Sequence, residues 1–171
     1  GYPTVVPIAG IFERWDHLLP LLRHLNGIGF GVHPISSLGR SRARVDALAD
    51  EVRADLDRYG LRDVAILAHS TGGPVGKLAL LRDGDVGRIR HVVALATPFK
   101  GSRLATVARA AQLAAFSPSS RQTVKLSLRT EVDHRITSIF ATFDEVIGVP
   151  NQVALGTNLE AVRLGHYALL S

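Results

Sequence analysis

Short apolar runs alternate with longer helical patterns along this chain. Thr4–Gly10 (TVVPIAG), Gly29–Ile35 (GFGVHPI), Asp63–His69 (DVAILAH), His91–Thr97 (HVVALAT), Ile136–Thr142 (ITSIFAT) and Leu159–Leu164 (LEAVRL) read as strands. Asp63–His69 is apolar almost without alternation, as expected for a strand covered on both faces in the middle of a parallel sheet. Between the strands the period changes to that of a helix. Leu18, Leu19, Leu22 and Leu25 share a face in Trp15–Gly27, and Pro20 falls in the first turns, where a missing N–H costs little. Val45, Leu48, Val52 and Leu56 make the stripe of a helix over Ser41–Gly60, and another helix is predicted through Val75–Leu81. This alternation predicts an α/β fold with a parallel sheet and right-handed crossovers.

One connection is long. About forty residues separate the strands at His91 and Ile136, more than a crossover needs. Ser102–Ser120 is an alanine-rich amphipathic helix followed by a serine–proline loop. Segment 102–135 is therefore either an ordinary crossover with a loose tail or a small cap over a site. Otherwise the 171 residues read as one domain, 1–171, with a sizeable core.

Composition narrows the function. Hydrophobic residues make up 46% and charged residues 20%, and the net charge of +5 is spread along the chain. No basic run is interleaved with aromatics, so no nucleic-acid face is expected. The charge reads as solvated surface, with a weak preference for anionic partners or transient contact with lipid headgroups as the sharper alternative. The lack of cysteine excludes disulfides, cysteine nucleophiles and thiolate metal sites. No apolar run is long enough to span a membrane. The chain begins at Gly1 and contains no methionine, which suggests processing or trimming; a cytoplasmic location and secretion with a signal peptide removed both stay open.

The candidate chemistry lies in Val64–Leu81 (VAILAHSTGGPVGKLALL). A phosphate loop, G-x-x-x-x-G-K-[ST], anchored on Gly76 and Lys77 needs glycine at 71 and a hydroxyl at 78. The chain has Thr71 and Leu78, and Pro74 removes an amide from the would-be cradle. A nucleophile turn, G-x-S-x-G, fits better: Ala68-His69-Ser70-Thr71-Gly72 joins a buried strand to a helix. Gly76 and Lys77 then become helix residues, with Lys77 expected on a solvated edge.

A serine hydroxyl needs a base and an acid that orients it, and the fold built around such a strand–turn–helix supplies them in the chain order serine, acid, histidine, each after a later strand. Asp144 follows the strand ending at Thr142, and His166 follows the strand ending at Leu164. Glu145 and Asp133 are rival acids. His17 and His24 lie on a helix face, His69 flanks the serine and is expected to point elsewhere, and His134 precedes a strand.

At these residues the sequence resembles the α/β-hydrolase superfamily, in particular the small bacterial lipases and esterases. ILAHSTGG (Ile66–Gly73) is similar to their elbow, and VVALATPFKGSRLA (Val92–Ala105) to their T-P-x-x-G-[ST] segment. SIFATFDEVIGVPNQVAL and VRLGHYALL resemble their acid and histidine loops. The resemblance covers nearly the whole chain and implies a minimal α/β-hydrolase fold of about six parallel strands with helices on both faces. It also implies a Ser70–Asp144–His166 triad and an oxyanion hole made by the backbone N–H groups of Thr71 and Ile11. Ala9 stands where the family usually has histidine, and Ala68 where it has the first glycine.

The expected activity is hydrolysis of small-molecule or lipid esters through an acyl-enzyme, without metal or cofactor. The expected acyl pocket is Ile11, Phe12, Phe99, Val146 and Val149, with Tyr167 beside the histidine. An acyltransferase using the same acyl-enzyme and a non-catalytic binding module on this fold are the alternatives.

Overall fold

The structure is a computed structural model that describes residues 1–10, 13–38, 44–102, 105, 114–146 and 152–170. β1 (Thr4–Ile8) is followed by a 3-10 turn, Trp15–Leu18, that leads into α1 (Leu19–Gly27). Next come α2 (Val45–Arg58), β2 (Val64–His69), α3 (Gly72–Asp83) and β3 (Ile89–Leu95). α4 (Arg121–Ser127), β4 (Ile136–Phe143) and β5 (Thr157–Leu164) complete the described elements. The sheet is parallel throughout, in the order β1-β2-β3-β4-β5. All carboxyl ends of the strands therefore share one rim, where open α/β sheets place their ligand sites.

Five strands, rather than about six, form this sheet among the described residues. The expected strand Gly29–Ile35 makes a single bridge, Val5 with Val32. Val5 N–H donates to the Gly31 carbonyl at 2.8 Å, and His33 N–H donates to the Val5 carbonyl at 2.9 Å. The residues in and beside β1 that would extend this ladder on either side of Val5 are Pro3 and Pro7, which have no N–H to give, and Gly29 turns away at a φ of +105°.

Each strand sends alternate side chains to opposite faces, and helices cover both. Val6, Ile8, Ile66, Ala68, Val92 and Ala94 pack beneath α2 and α3. Val5, Leu67 and Leu95 face the other way, onto Leu18, Leu22 and Leu170. In α2 the fully buried positions are Val45, Ala49, Val52 and Leu56; Leu48 is only partly covered.

α3 runs across the middle of the sheet and is buried nearly all round. A Cβ at Gly76 would sit 3.2 Å from both Ile66 and Val92, so this glycine sets how closely the helix approaches the sheet. That placement overturns the expectation for Lys77. Its side chain is 2% exposed and pairs with the buried Asp133.

α4 was not anticipated as a separate element. Ser120 caps it, its hydroxyl accepting from Thr123 N–H at 3.1 Å. The rest of the expected helix within Ser102–Ser120, and with it the evidence for a cap, lies mostly outside the described residues. Among the described residues no helix is long and apolar enough to cross a membrane.

Candidate active site

Ser70 stands between the end of β2 and the start of α3 with a φ of +52°, a backbone conformation that costs a non-glycine residue about 1–3 kcal/mol. Ser70 N–H donates to the Leu95 carbonyl at 2.9 Å, and its own carbonyl accepts from Gly73 N–H at 3.1 Å. The next two glycines let α3 begin immediately. A Cβ at Gly72 would overlap the Ile8 carbonyl, and one at Gly73 would overlap the Thr97 side chain. Thr71 is the N-cap residue of α3, so its amide belongs to the positive end of the helix dipole beside Ser70. The loop after β1 closes on the same point: a Cβ at Gly10 would lie 3.1 Å from Ser70 Cβ.

Asp144 and His166 meet at the same rim. His166 Nδ1 lies 2.9 Å from Asp144 Oδ2, with both side chains buried. The other carboxylate oxygen of Asp144 accepts from Val146 N–H at 2.9 Å, which fixes its plane. The two loops are also joined through the main chain. Gly165 N–H donates to the Phe143 carbonyl at 2.9 Å, and His166 N–H donates to Glu145 Oε2 at 3.0 Å.

The rival acids therefore occupy different positions. Glu145 holds the backbone of the histidine loop, and Asp133 is paired with Lys77.

His69 does not point away from this rim. Its ring centroid is 4.9 Å from that of His166, and its Nε2 faces the His166 carbonyl oxygen at 3.4 Å. Its Nδ1 lies 2.8 Å from Glu13 Oε2. Burial alone would push the Glu13 carboxyl up, but hydrogen bonds from His69, Tyr167 and Gly10 outweigh it and bring its pKa down to about 2. The Tyr167 hydroxyl donates to Glu13 Oε1 at 2.7 Å. Burial and this bond to an anion push Tyr167 up to about 12.

Among the described residues Glu13, His69 and His166 form a group with metal-ligand side chains, their ligand atoms within 4.8 Å of one another. Hydrogen bonds already occupy both oxygens of Glu13 and the Nδ1 atoms of both histidines, so the group is built as a hydrogen-bond network.

The remaining pocket residues divide. Phe99 is buried in the core beneath the sheet. Val146 is partly buried, and its carbonyl accepts from Ser102 Oγ at 2.8 Å, tying the T-P-x-x-G-[ST] segment to the acid loop. Tyr167 is half exposed beside His166, ring centroids 5.2 Å apart. Ile11, Phe12 and Val149 lie outside the described residues. Sequence reasoning passed over Glu13 and Ser102. Ser102 stood within a quoted motif, whereas nothing local marks Glu13, whose partners are distant in the chain.

No family model and no curated protein matches this sequence. Solved structures do match. The chain superposes on a monoacylglycerol lipase from Paleococcus ferrophilus at 18% identity and a TM-score of 0.66, over 97% of this chain and 88% of that one. It superposes on the mature lipase BlEst2 of Bacillus licheniformis at 14% identity and a TM-score of 0.70, over 99% and 86%. An extracellular α/β-hydrolase from a Paenibacillus species matches at 16% identity and a TM-score of 0.68, over 98% and 93%.

Proposed function

With the α/β-hydrolase fold of this chain as premise, we propose that the protein is a serine hydrolase that cleaves carboxylic esters through an acyl-enzyme. The observation that carries this reading is the 2.9 Å contact between Asp144 and His166, on the rim where Ser70 is held at a φ of +52°. The lipases among the structurally similar proteins support the same substrate class.

Each of these residues has a role in the proposed reaction. Asp144 orients the imidazole of His166 through Nδ1 and stabilises the charge it acquires, leaving Nε2 to take the proton of Ser70. The Ser70 oxygen adds to the ester carbonyl. The backbone N–H groups of Thr71 and Ile11 receive the oxyanion, helped by the positive end of α3. His166 returns the proton to the departing alcohol. Water then repeats the cycle on the acyl-enzyme and releases the carboxylic acid. Val146 and Tyr167 are the described residues assigned to the acyl pocket, and a lipid ester or a small water-soluble ester is the substrate.

Ser70→Ala tests this reading. With the fold intact, hydrolysis of p-nitrophenyl esters falls by roughly three orders of magnitude or more. A fluorophosphonate labels the wild type and not the variant. Unchanged turnover by Ser70→Ala overturns the assignment.

A further inference from the structure

Three loops surround the proposed nucleophile, and one buried carboxylate touches all of them. Glu13 Oε2 accepts from Gly10 N–H at 3.0 Å, in the loop after β1. The same oxygen lies 2.8 Å from Nδ1 of His69, the residue before Ser70. Glu13 Oε1 accepts from the hydroxyl of Tyr167, the residue after His166. Glu13 is 8% exposed and His69 fully buried. Burying an anion is costly unless every oxygen has a partner, and here each has one.

We infer that Glu13 is a positioning residue, which holds the oxyanion loop, the nucleophile turn and the histidine loop in one register. The inference rests on the proposed hydrolase reading. Through Gly10 it fixes the loop that carries the proposed donor at position 11. Through Tyr167 and His69 it fixes where the His166 ring stands relative to Ser70. Oxyanion contacts strengthen only as the transition state forms, so a loosened loop lowers kcat and leaves KM nearly unchanged. Misplacement of about 1 Å costs on the order of 100-fold in rate.

The test compares Glu13→Gln, Tyr167→Phe, the double variant and Ser70→Ala. For each, kcat and KM are measured on p-nitrophenyl butyrate and folding is checked by circular dichroism. Glu13→Gln is expected to lower kcat by roughly 30- to 100-fold with KM within about threefold. Tyr167→Phe, which breaks one of the three bonds, lowers kcat less. The double variant is no worse than Glu13→Gln, because the tyrosine acts through the carboxylate.

A Glu13→Gln enzyme that folds and keeps its kcat, or whose whole loss lies in KM, overturns the inference. If Glu13→Gln does not fold, the half-exposed Tyr167 decides: a kcat lowered at least threefold at unchanged KM supports the role, and an unchanged kcat removes it. An inactive Ser70→Ala beside full activity in the other variants sinks only the role of Glu13. Full activity in Ser70→Ala sinks the hydrolase reading itself.

Discussion

Lys77 Nζ lies 2.7 Å from Asp133 Oδ1, and neither side chain reaches solvent. The pair joins α3, which begins just after Ser70, to the turn that leads into β4, the strand that ends beside Asp144. Removing one partner leaves an uncompensated buried charge, a cost of about 3–5 kcal/mol. Lys77→Ala or Asp133→Ala should therefore lower the melting temperature by roughly 10 °C. Lys77→Met combined with Asp133→Leu should recover most of that loss, since an apolar pair of similar volume replaces the ions. Thermal denaturation followed by circular dichroism checks both, and a double variant no better than the singles counts against this account.

The two neighbouring acids at 144 and 145 make separable predictions. Asp144→Asn removes the partner of His166 Nδ1 and should lower kcat by about 10³–10⁴ at neutral pH. Glu145→Gln keeps an acceptor for His166 N–H and should stay within about tenfold of wild type. The opposite ranking in steady-state assays would move the orienting acid to Glu145.

Gly72 and Gly73 differ in what can be relieved. A Cβ at Gly73 meets the Thr97 side chain, including Oγ1 at 2.5 Å, whereas a Cβ at Gly72 meets the backbone carbonyl of Ile8. Gly73→Ala should cost roughly 1–3 kcal/mol of stability, and a second change, Thr97→Ala, should restore part of it. Gly72→Ala should gain nothing from the same second change. Urea midpoints of the four variants measure this directly.

Glu13 and Tyr167 should contribute at opposite ends of the stability–pH curve. The Glu13 pKa is lowered from 4.5 to about 2, so its contribution is complete above 4.5 and is lost as pH falls from there toward 2. Tyr167 is raised from 10.0 to about 12, so its contribution is complete below 10 and is lost as pH rises toward 12. Glu13→Gln should flatten the acid side of a melting-temperature profile and Tyr167→Phe the alkaline side. Wild-type slopes on both sides in both variants would show that other groups govern these limits.

The turn at Ser70 was legible because its signal is local: an apolar strand, a hydroxyl between small residues, then a helix. Asp144 and His166 were legible from chain order, each lying just past a readable strand, and the structure brings these two together. Glu13 was not, since it lies in a loop and its side-chain partners are 56 and 154 positions away. Lys77 was misread because a charged residue in a helical pattern ordinarily marks the wet face. Periodicity gave no sign that α3 crosses mid-sheet with nearly every side covered. The edge segment at Gly29–Ile35 has the composition of a strand, but its partner residues on either side of Val5 are Pro3 and Pro7, which cannot donate, and one bridge is all that forms.

The bond from Tyr167 to Glu13 joins positions 154 residues apart. A ribosome adding roughly 5–20 residues per second needs on the order of ten seconds or more to travel between them. By then Ser70 and the five described strands have been made, while His166 and Tyr167 come only after β5. On the proposed reading, a nascent chain carries its serine for some seconds before the base that would arm it has been made.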